Sequence, residues 1–221
     1  MNNCLHEKEY GQEHYARLRQ LAAETTPADE LSHFMEMGSW RPKELRKMKK
    51  FRFQLLHRWL VEHFAPCRVA DIGGGKGLLA YLLQQSGWEA AVIDPIYQEL
   101  PDKYKDIATG QRVKIGTHEK VRRVSRPFSA EMGREFDLLI GMHAHGCNAL
   151  IVDAAAEYGC GYVLFPCCVI EEPFFPVRGV SWLESITAYG VEGQRPLHHF
   201  RLNFKGQNIG LCGVGELKLV S

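Results

Sequence analysis

Val69-Ala70-Asp71-Ile72-Gly73-Gly74-Gly75-Lys76-Gly77-Leu78-Leu79 joins an apolar run to a helical one through a turn made of glycine and a single lysine. Arg68–Ile72 has the length and composition of a buried strand, and Gly77–Gln85 carries apolar residues at helical spacing. Glycines at 73, 75 and 77 let the backbone turn tightly and approach a ligand with no side chain between. The next apolar run, Glu89–Ile93, ends at Asp94, which lies 23 residues after Asp71. A carboxylate at that point can accept hydrogen bonds from both hydroxyls of a ribose.

Two other glycine-loop readings fit less well. A P-loop needs Gly-Lys followed by Ser or Thr, and Lys76 is followed by Gly77. A nicotinamide fingerprint would take Gly75, Gly77 and Ala80, leaving Asp71 and Gly73 without a purpose.

Downstream, strand-like and helical stretches alternate. Phe136–Met142 is a strand, Ala149–Tyr158 a helix, Gly161–Phe165 a strand and Val180–Tyr189 a helix. Such alternation implies a parallel sheet covered on both faces. His198–Phe204 and Ile209–Val220 are strands joined by Lys205-Gly-Gln-Asn, a hairpin signal that makes them antiparallel. The expected fold is α/β, a Rossmann-like sheet that is mostly parallel and ends in an antiparallel hairpin. Between Tyr97 and Phe136 the sequence defines no element.

Upstream, residues 1–64 hold helical patterns and no strand-like run. One helix runs from about Glu13 to Glu24, a short one starts at Pro27, and a third opens at Pro42. Leu45, Met48, Phe51, Leu55, Trp59, Leu60 and Phe64 give the third an apolar face. The division expected is a helical N-terminal extension over 1–64, with a basic helix over 42–64, and a sheet domain over 65–221.

Composition excludes little else. Hydrophobic residues make up 45% and charged residues 24%, as in ordinary globular proteins, and the net charge is +1. No run of about 18 apolar residues predicts a membrane span. The polar N-terminus has no signal-peptide core, so a cytoplasmic protein with reduced thiols is expected. The seven cysteines are odd in number and form no CxxC pair, which argues against a zinc ribbon.

Asp71–Gly77 resembles motif I of class I S-adenosylmethionine-dependent methyltransferases, and Asp94 resembles the acidic end of their second strand. A parallel sheet finished by an antiparallel hairpin is the layout of that class. The resemblance covers roughly residues 65–215 and implies S-adenosyl-L-methionine as cofactor. It implies that Gly73, Gly75 and Gly77 border the methionine part, that Asp71 orients the ammonium group and that Asp94 holds the ribose. Met142 is placed with the cofactor residues.

Ligands of open parallel sheets sit beyond the C-terminal strand ends. Two unusual loops belong there: Met142-His143-Ala144-His145-Gly146-Cys147-Asn148 and Pro166-Cys167-Cys168-Val169-Ile170-Glu171-Glu172. Together they resemble the branch with a His-rich loop after the fourth strand and Pro-Cys-Cys after the fifth. That branch includes tRNA ribose 2′-O-methyltransferases, and the resemblance implies an RNA substrate, tRNA above all. His145-Gly146-Cys147 stands where those relatives often have Cys-Gly-Asp or Cys-Gly-Ala.

A poor nucleophile such as a ribose hydroxyl needs a base. His143 is the first candidate and His145 the second, the alternative being that His143 only shapes the pocket. Cys167 offers another chemistry, attack on C6 of a pyrimidine, with Glu171 or Cys147 as acid/base partner. The alternative is that Cys167 packs as a small hydrophobe. His143, His145, Cys147, Cys167 and Cys168 are also soft ligands. Methyl transfer needs no metal, however, and none is expected.

The charge is uneven. Arg41 to Arg52 holds seven Lys/Arg and one acidic residue, and Arg112, Lys114, Lys120, Arg122, Arg123 and Arg126 form a second basic segment. Phosphate neutralisation by Lys47, Lys50, Arg52, Arg122 and Arg123 is the reading that suits RNA. Pro166, Cys168 and Phe174 are candidate pocket walls, with the rings of Pro173-Phe-Phe-Pro176 stacking on a flipped base or else closing the core. A small-molecule methyltransferase with a helical lid and a non-catalytic cofactor-binding module are the other function classes.

Overall fold

The computed structural model describes residues 3–24, 26, 47–193 and 196–220. Helix α1 spans Asn3–Ala22, and a 3-10 turn at Lys49–Phe51 leads into α2, Arg52–His63. Strand β1 (Arg68–Ile72), helix α3 (Leu78–Gln85) and strand β2 (Glu89–Ile93) follow, then short strands β3 (Lys103–Lys105), β4 (Arg112–Lys114) and β5 (Arg122–Val124). A 3-10 turn at Ala130–Glu135 precedes β6 (Leu138–Met142), α4 (Asn148–Tyr158), β7 (Gly161–Phe165), α5 (Trp182–Glu192), β8 (His198–Arg201) and β9 (Ile209–Gly213).

Seven strands form one sheet in the order β5-β2-β1-β6-β7-β9-β8, while β3 and β4 pair separately as an antiparallel ribbon. The five strands from β5 to β7 are parallel, and β9 runs antiparallel to both β7 and β8. The expected α/β architecture, mostly parallel with an antiparallel C-terminal hairpin, is therefore present.

The pleat sends alternate residues to two layers. Ala70 and Ile72 face a core shared with Leu18 of α1, Ile151 of α4 and Ile186 of α5. Val69 faces the other core, with Leu56 and Trp59 of α2 and Leu79 and Leu83 of α3. The near-continuous apolar runs of β6 and β7 follow from burial on both faces. Among the described residues no helix is long and apolar enough to cross a membrane.

Three expectations are corrected in detail. The basic helix expected over 42–64 is not continuous: its described part is Arg52–His63, and Pro42 lies outside the described residues. Lys47 instead bridges Phe204, its N–H donating to the Asn203 carbonyl at 2.9 Å, and Met48 is extended. Met48 thus carried the helical apolar pattern into a position that is extended, next to the sheet-edge bonding of Lys47, and Leu45 lies outside the described residues. The hairpin strands are shorter than expected for the same reason, since Phe204 pairs with Lys47 and Leu219 with Phe64. The stretch between Tyr97 and Phe136 holds β3, β4 and the edge strand β5. Each has three residues and bears charge, as solvent-facing edges commonly do, so no apolar pattern announces them.

Candidate active site

From β1 the chain crosses to β2 on one side, and β6 lies on the other. Loops leaving β1 and β6 diverge at such a switch point and leave a crevice between them. A cleft of about 540 Å³ opens there, within the range of small-ligand sites. The glycine loop forms one wall, Lys50 and Arg52 another, Tyr104 of the ribbon a third, and Met142 and His143 complete it.

Gly73, Gly75 and Gly77 have φ of +64°, +52° and +78°, a left-handed region that other residues enter at a cost of about 1–2 kcal/mol each. Gly74 is needed for a different reason, which the sequence reading missed. A Cβ there would stand 2.6 Å from the Asp71 Cγ, so the Asp71 carboxylate lies directly against the loop. The unbroken run Gly73-Gly74-Gly75 was the available signal.

Asp71 is buried, and its Oδ2 has no hydrogen-bond partner among the described residues. Burial pushes its pKa up to about 7, against a hydrogen bond from the Ala80 backbone and the nearby Arg123 charge. Asp94 is half-buried and fully engaged by backbone, with Gly75 N–H donating to Oδ2 at 3.0 Å and Ile96 N–H to Oδ1 at 2.8 Å. Each carboxylate oxygen retains a further lone pair for a ligand.

Arg123 is placed otherwise than with a substrate. Its Nη1 donates to the Gly75 carbonyl at 2.8 Å, and its guanidinium lies over the Tyr97 ring at 5.5 Å. It braces the glycine loop. Strand alternation sends Arg122 elsewhere, to an exposed ion pair with Glu135 at 3.7 Å.

At the end of β6, His143 is half-buried with φ of +62°. Neither ring nitrogen has a partner among the described residues. Burial lowers its pKa to about 4, with Lys49, Arg52 and His145 adding repulsion. The imidazole is therefore neutral near pH 7 and free to accept a hydrogen bond. His145, two residues on, is exposed and does not line the cleft. Lys49, which the sequence reading did not single out, lies near enough for its charge to act on both His143 and Cys167.

The loops after β6 and β7 are fastened together by Glu172. Its buried carboxylate accepts from the backbone N–H of Asn148 at 2.9 Å and of Ala149 at 3.1 Å, and from the Asn148 side chain. It thus caps α4 from the neighbouring loop, where a negative charge also suits the helix dipole. Gly146, with φ of +68°, packs so closely on this loop that a Cβ would stand 2.9 Å from the Glu171 Cβ. We expect Glu172→Ala to destabilise the protein by about 2–3 kcal/mol, since it orphans two helix N–H groups that a charged acceptor satisfies. Urea unfolding measures it, and a loss below about 0.5 kcal/mol would refute the clamp.

Cys167 is exposed and Cys168 half-buried, with their sulfurs 3.7 Å apart. Partial enclosure of its sulfur, and then Cys168 beside it, push the Cys167 thiol up to about 11. Pro166 is buried. Phe174 closes the core rather than walling a substrate site, its ring 5.0 Å from Tyr189 and 5.2 Å from Trp182. The exposed ring of the pair is Phe175, at 75%. Of the residues expected to contact substrate, Lys50 and Arg52 reach the cleft, whereas Lys47, Arg122, Arg123, Pro166, Cys168 and Phe174 do not line it.

No protein-family profile matches the chain, and no curated protein matches it. Among solved structures it is similar to monomeric WbdD at 12% identity and a TM-score of 0.37, over 74% of this chain and 39% of that one. It is likewise similar to WbdD in a co-crystal with the kinase inhibitor LY294002, at 12% identity and a TM-score of 0.34, over 74% of this chain and 38% of that one. The chain thus spans well under half the length of the solved chains it resembles.

Proposed function

We propose that this protein is an S-adenosyl-L-methionine-dependent methyltransferase whose cofactor lies in the glycine cleft and whose acceptor is RNA, tRNA first among candidates. One observation carries the reading. The unpartnered, buried Asp71 Oδ2 lies against Gly74 at the switch point of the sheet, one strand away from Asp94. That set suits a ligand bearing both an ammonium group and a ribose. The φ-positive glycines leave room for its chain, and Met142 adds an apolar, polarizable surface.

The cofactor supplies an electrophilic methyl group. The chain's own contribution is alignment: Asp71 and Asp94 hold the two ends of the cofactor. His143, neutral near pH 7, unpartnered and lining the cleft, would take the acceptor's proton as the new bond forms. Lys50 and Arg52 at the cleft, with Lys49 beside His143, favour an anionic acceptor. The competing cysteine mechanism is disfavoured, because a nucleophilic thiol needs a lowered pKa and that of Cys167 is raised.

Calorimetric titration with S-adenosyl-L-methionine is expected to show one site, weakened on the order of 100-fold in Asp94→Ala by loss of charge-assisted bonds. Incubation of labelled cofactor with total RNA is then expected to mark RNA, with turnover falling about 10²–10⁴-fold in His143→Ala. Absence of binding heat from folded protein would refute the cofactor. Binding without label in RNA, and with label in a small-molecule extract, would instead select the lid-bearing small-molecule enzyme.

A further inference from the structure

The Pro-Cys-Cys loop and the His loop meet in an arrangement that methyl transfer does not use. The imidazole of His145 and the thiols of Cys167 and Cys168 offer ligand atoms that all lie within 4.8 Å of one another. We propose that these three side chains form a binding site for a soft divalent metal of the zinc class. The proposal is independent of the cofactor reading, and it departs from the sequence expectation of no metal.

The sulfur spacing matches tetrahedral coordination. Two thiolates at about 2.3 Å from a tetrahedral zinc ion stand about 3.8 Å apart. The Cys167 and Cys168 sulfurs are 3.7 Å apart. Bringing the imidazole nitrogen to about 2.0–2.1 Å from the same ion requires a contraction of an ångström or so, within the reach of an exposed histidine rotamer. Donor chemistry agrees, since thiolate and imidazole select zinc or copper(I) over calcium and magnesium.

The donors are also held from behind. His145 comes from the loop after β6 and the cysteines from the loop after β7, and the Glu172 carboxylate ties the two loops through Asn148 and Ala149. Such outer support is what positions ligands before a metal arrives. Cys147 and His143 do not join the cluster: Cys147 packs on the apolar core and His143 lines the cleft. Three protein ligands leave a fourth position open, as in sites where the metal takes a water or a substrate atom rather than a purely structural role. Each metal ion bound as a bis-thiolate displaces two protons, one from each thiol, while the neutral imidazole gives up none.

The test is titration of the full, reduced chain with Zn²⁺ against a chromophoric chelator, and with Co²⁺ as an optical probe. One equivalent is expected to bind, with release of two protons in weakly buffered solution and a thiolate-to-cobalt charge-transfer band in the near ultraviolet. Cys167→Ser, Cys168→Ser and His145→Ala should each weaken binding by on the order of 100-fold or more. Circular dichroism would confirm that each variant folds, and the control Cys67→Ser should bind as the parent does. The proposal is overturned if the reduced chain binds less than stoichiometric Zn²⁺. It is equally overturned if cobalt gives no thiolate band, if Cys67→Ser abolishes binding, or if Cys167→Ser and His145→Ala bind as tightly as the parent.

Discussion

Asp71→Asn is expected to make the ligand-free protein more stable above neutral pH while removing its hold on the cofactor. The carboxyl is fully enclosed, and burial raises its pKa to about 7 from an ordinary value of 3.8. Between those values the folded chain holds a proton that the unfolded chain has lost. Stability contributed by the protonated form is therefore complete at low pH and is lost as pH rises from about 4 to about 7. Above pH 7 the buried charge costs about 4 kcal/mol, from roughly three units at about 1.4 kcal/mol each. Asparagine carries no charge to bury, but its amide nitrogen takes the place of an oxygen with no partner against Gly74, a penalty of about 1–3 kcal/mol. The net expectation is a gain of about 1–3 kcal/mol at pH 8 and no gain, or a small loss, at pH 5. Urea unfolding at the two values reads the crossover directly, and a variant destabilised equally at both would disprove the buried-charge account.

The same group fixes the pH dependence of binding. A ligand ammonium needs the ionised carboxylate, so affinity for S-adenosyl-L-methionine should fall by up to about tenfold per pH unit below pH 7 and level off above it. In Asp71→Asn that affinity should drop on the order of 100-fold at pH 8. Methylthioadenosine, which lacks the amino-acid tail, should bind both proteins alike and without this pH dependence. If it loses affinity in parallel, Asp71 shapes the loop and does not meet the ammonium group. On the proposed reading, function at this site works against stability, the usual relation where a polar group is held ready for a partner.

How much of this was legible in the sequence depends on whether a feature is local. The glycine turn, both aspartates and the alternation of strands with helices are short-range patterns, and the alternation implies a parallel sheet; the strand order, with β1 between β2 and β6, rests on long-range pairing that no local pattern states. Gly74 escaped notice because its role is a contact with Asp71 and not a φ value. Glu172 escaped because a cap from another loop has no sequence spacing to betray it. Phe174 and Phe175 are adjacent and chemically identical, and only the packing of Tyr189 and Trp182 decides which one turns toward the core. Arg122 and Arg123 are told apart in the same way, by a strand too short to announce its alternation.

The N-terminal helices show the strongest influence of tertiary contacts, and they carry the other large expected effect. From sequence, residues 1–64 are an extension beside the sheet domain. In the fold, Trp59 of α2 stacks on Phe200 of β8 with ring centroids 3.8 Å apart and planes at 6°, and both are almost fully buried. Leu55, Leu56 and Leu60 share that core with Leu79 and Leu83 of α3. Trp59→Ala should therefore cost about 3–5 kcal/mol, a large part of the roughly 5–15 kcal/mol that holds most domains folded. Trp59→Phe keeps a ring to stack on Phe200 and should cost about half as much. A fragment of residues 65–221 would expose the faces of Phe200, Phe204 and Leu79 together, and it should aggregate or lack a cooperative transition. A soluble fragment that unfolds at the same urea midpoint as the full chain would show that α2 is an accessory arm. The alternative outcome makes it the helix layer that covers one face of the sheet, and it explains why the basic residues at its start, Lys50 and Arg52, stand at the cleft rather than on a detached surface.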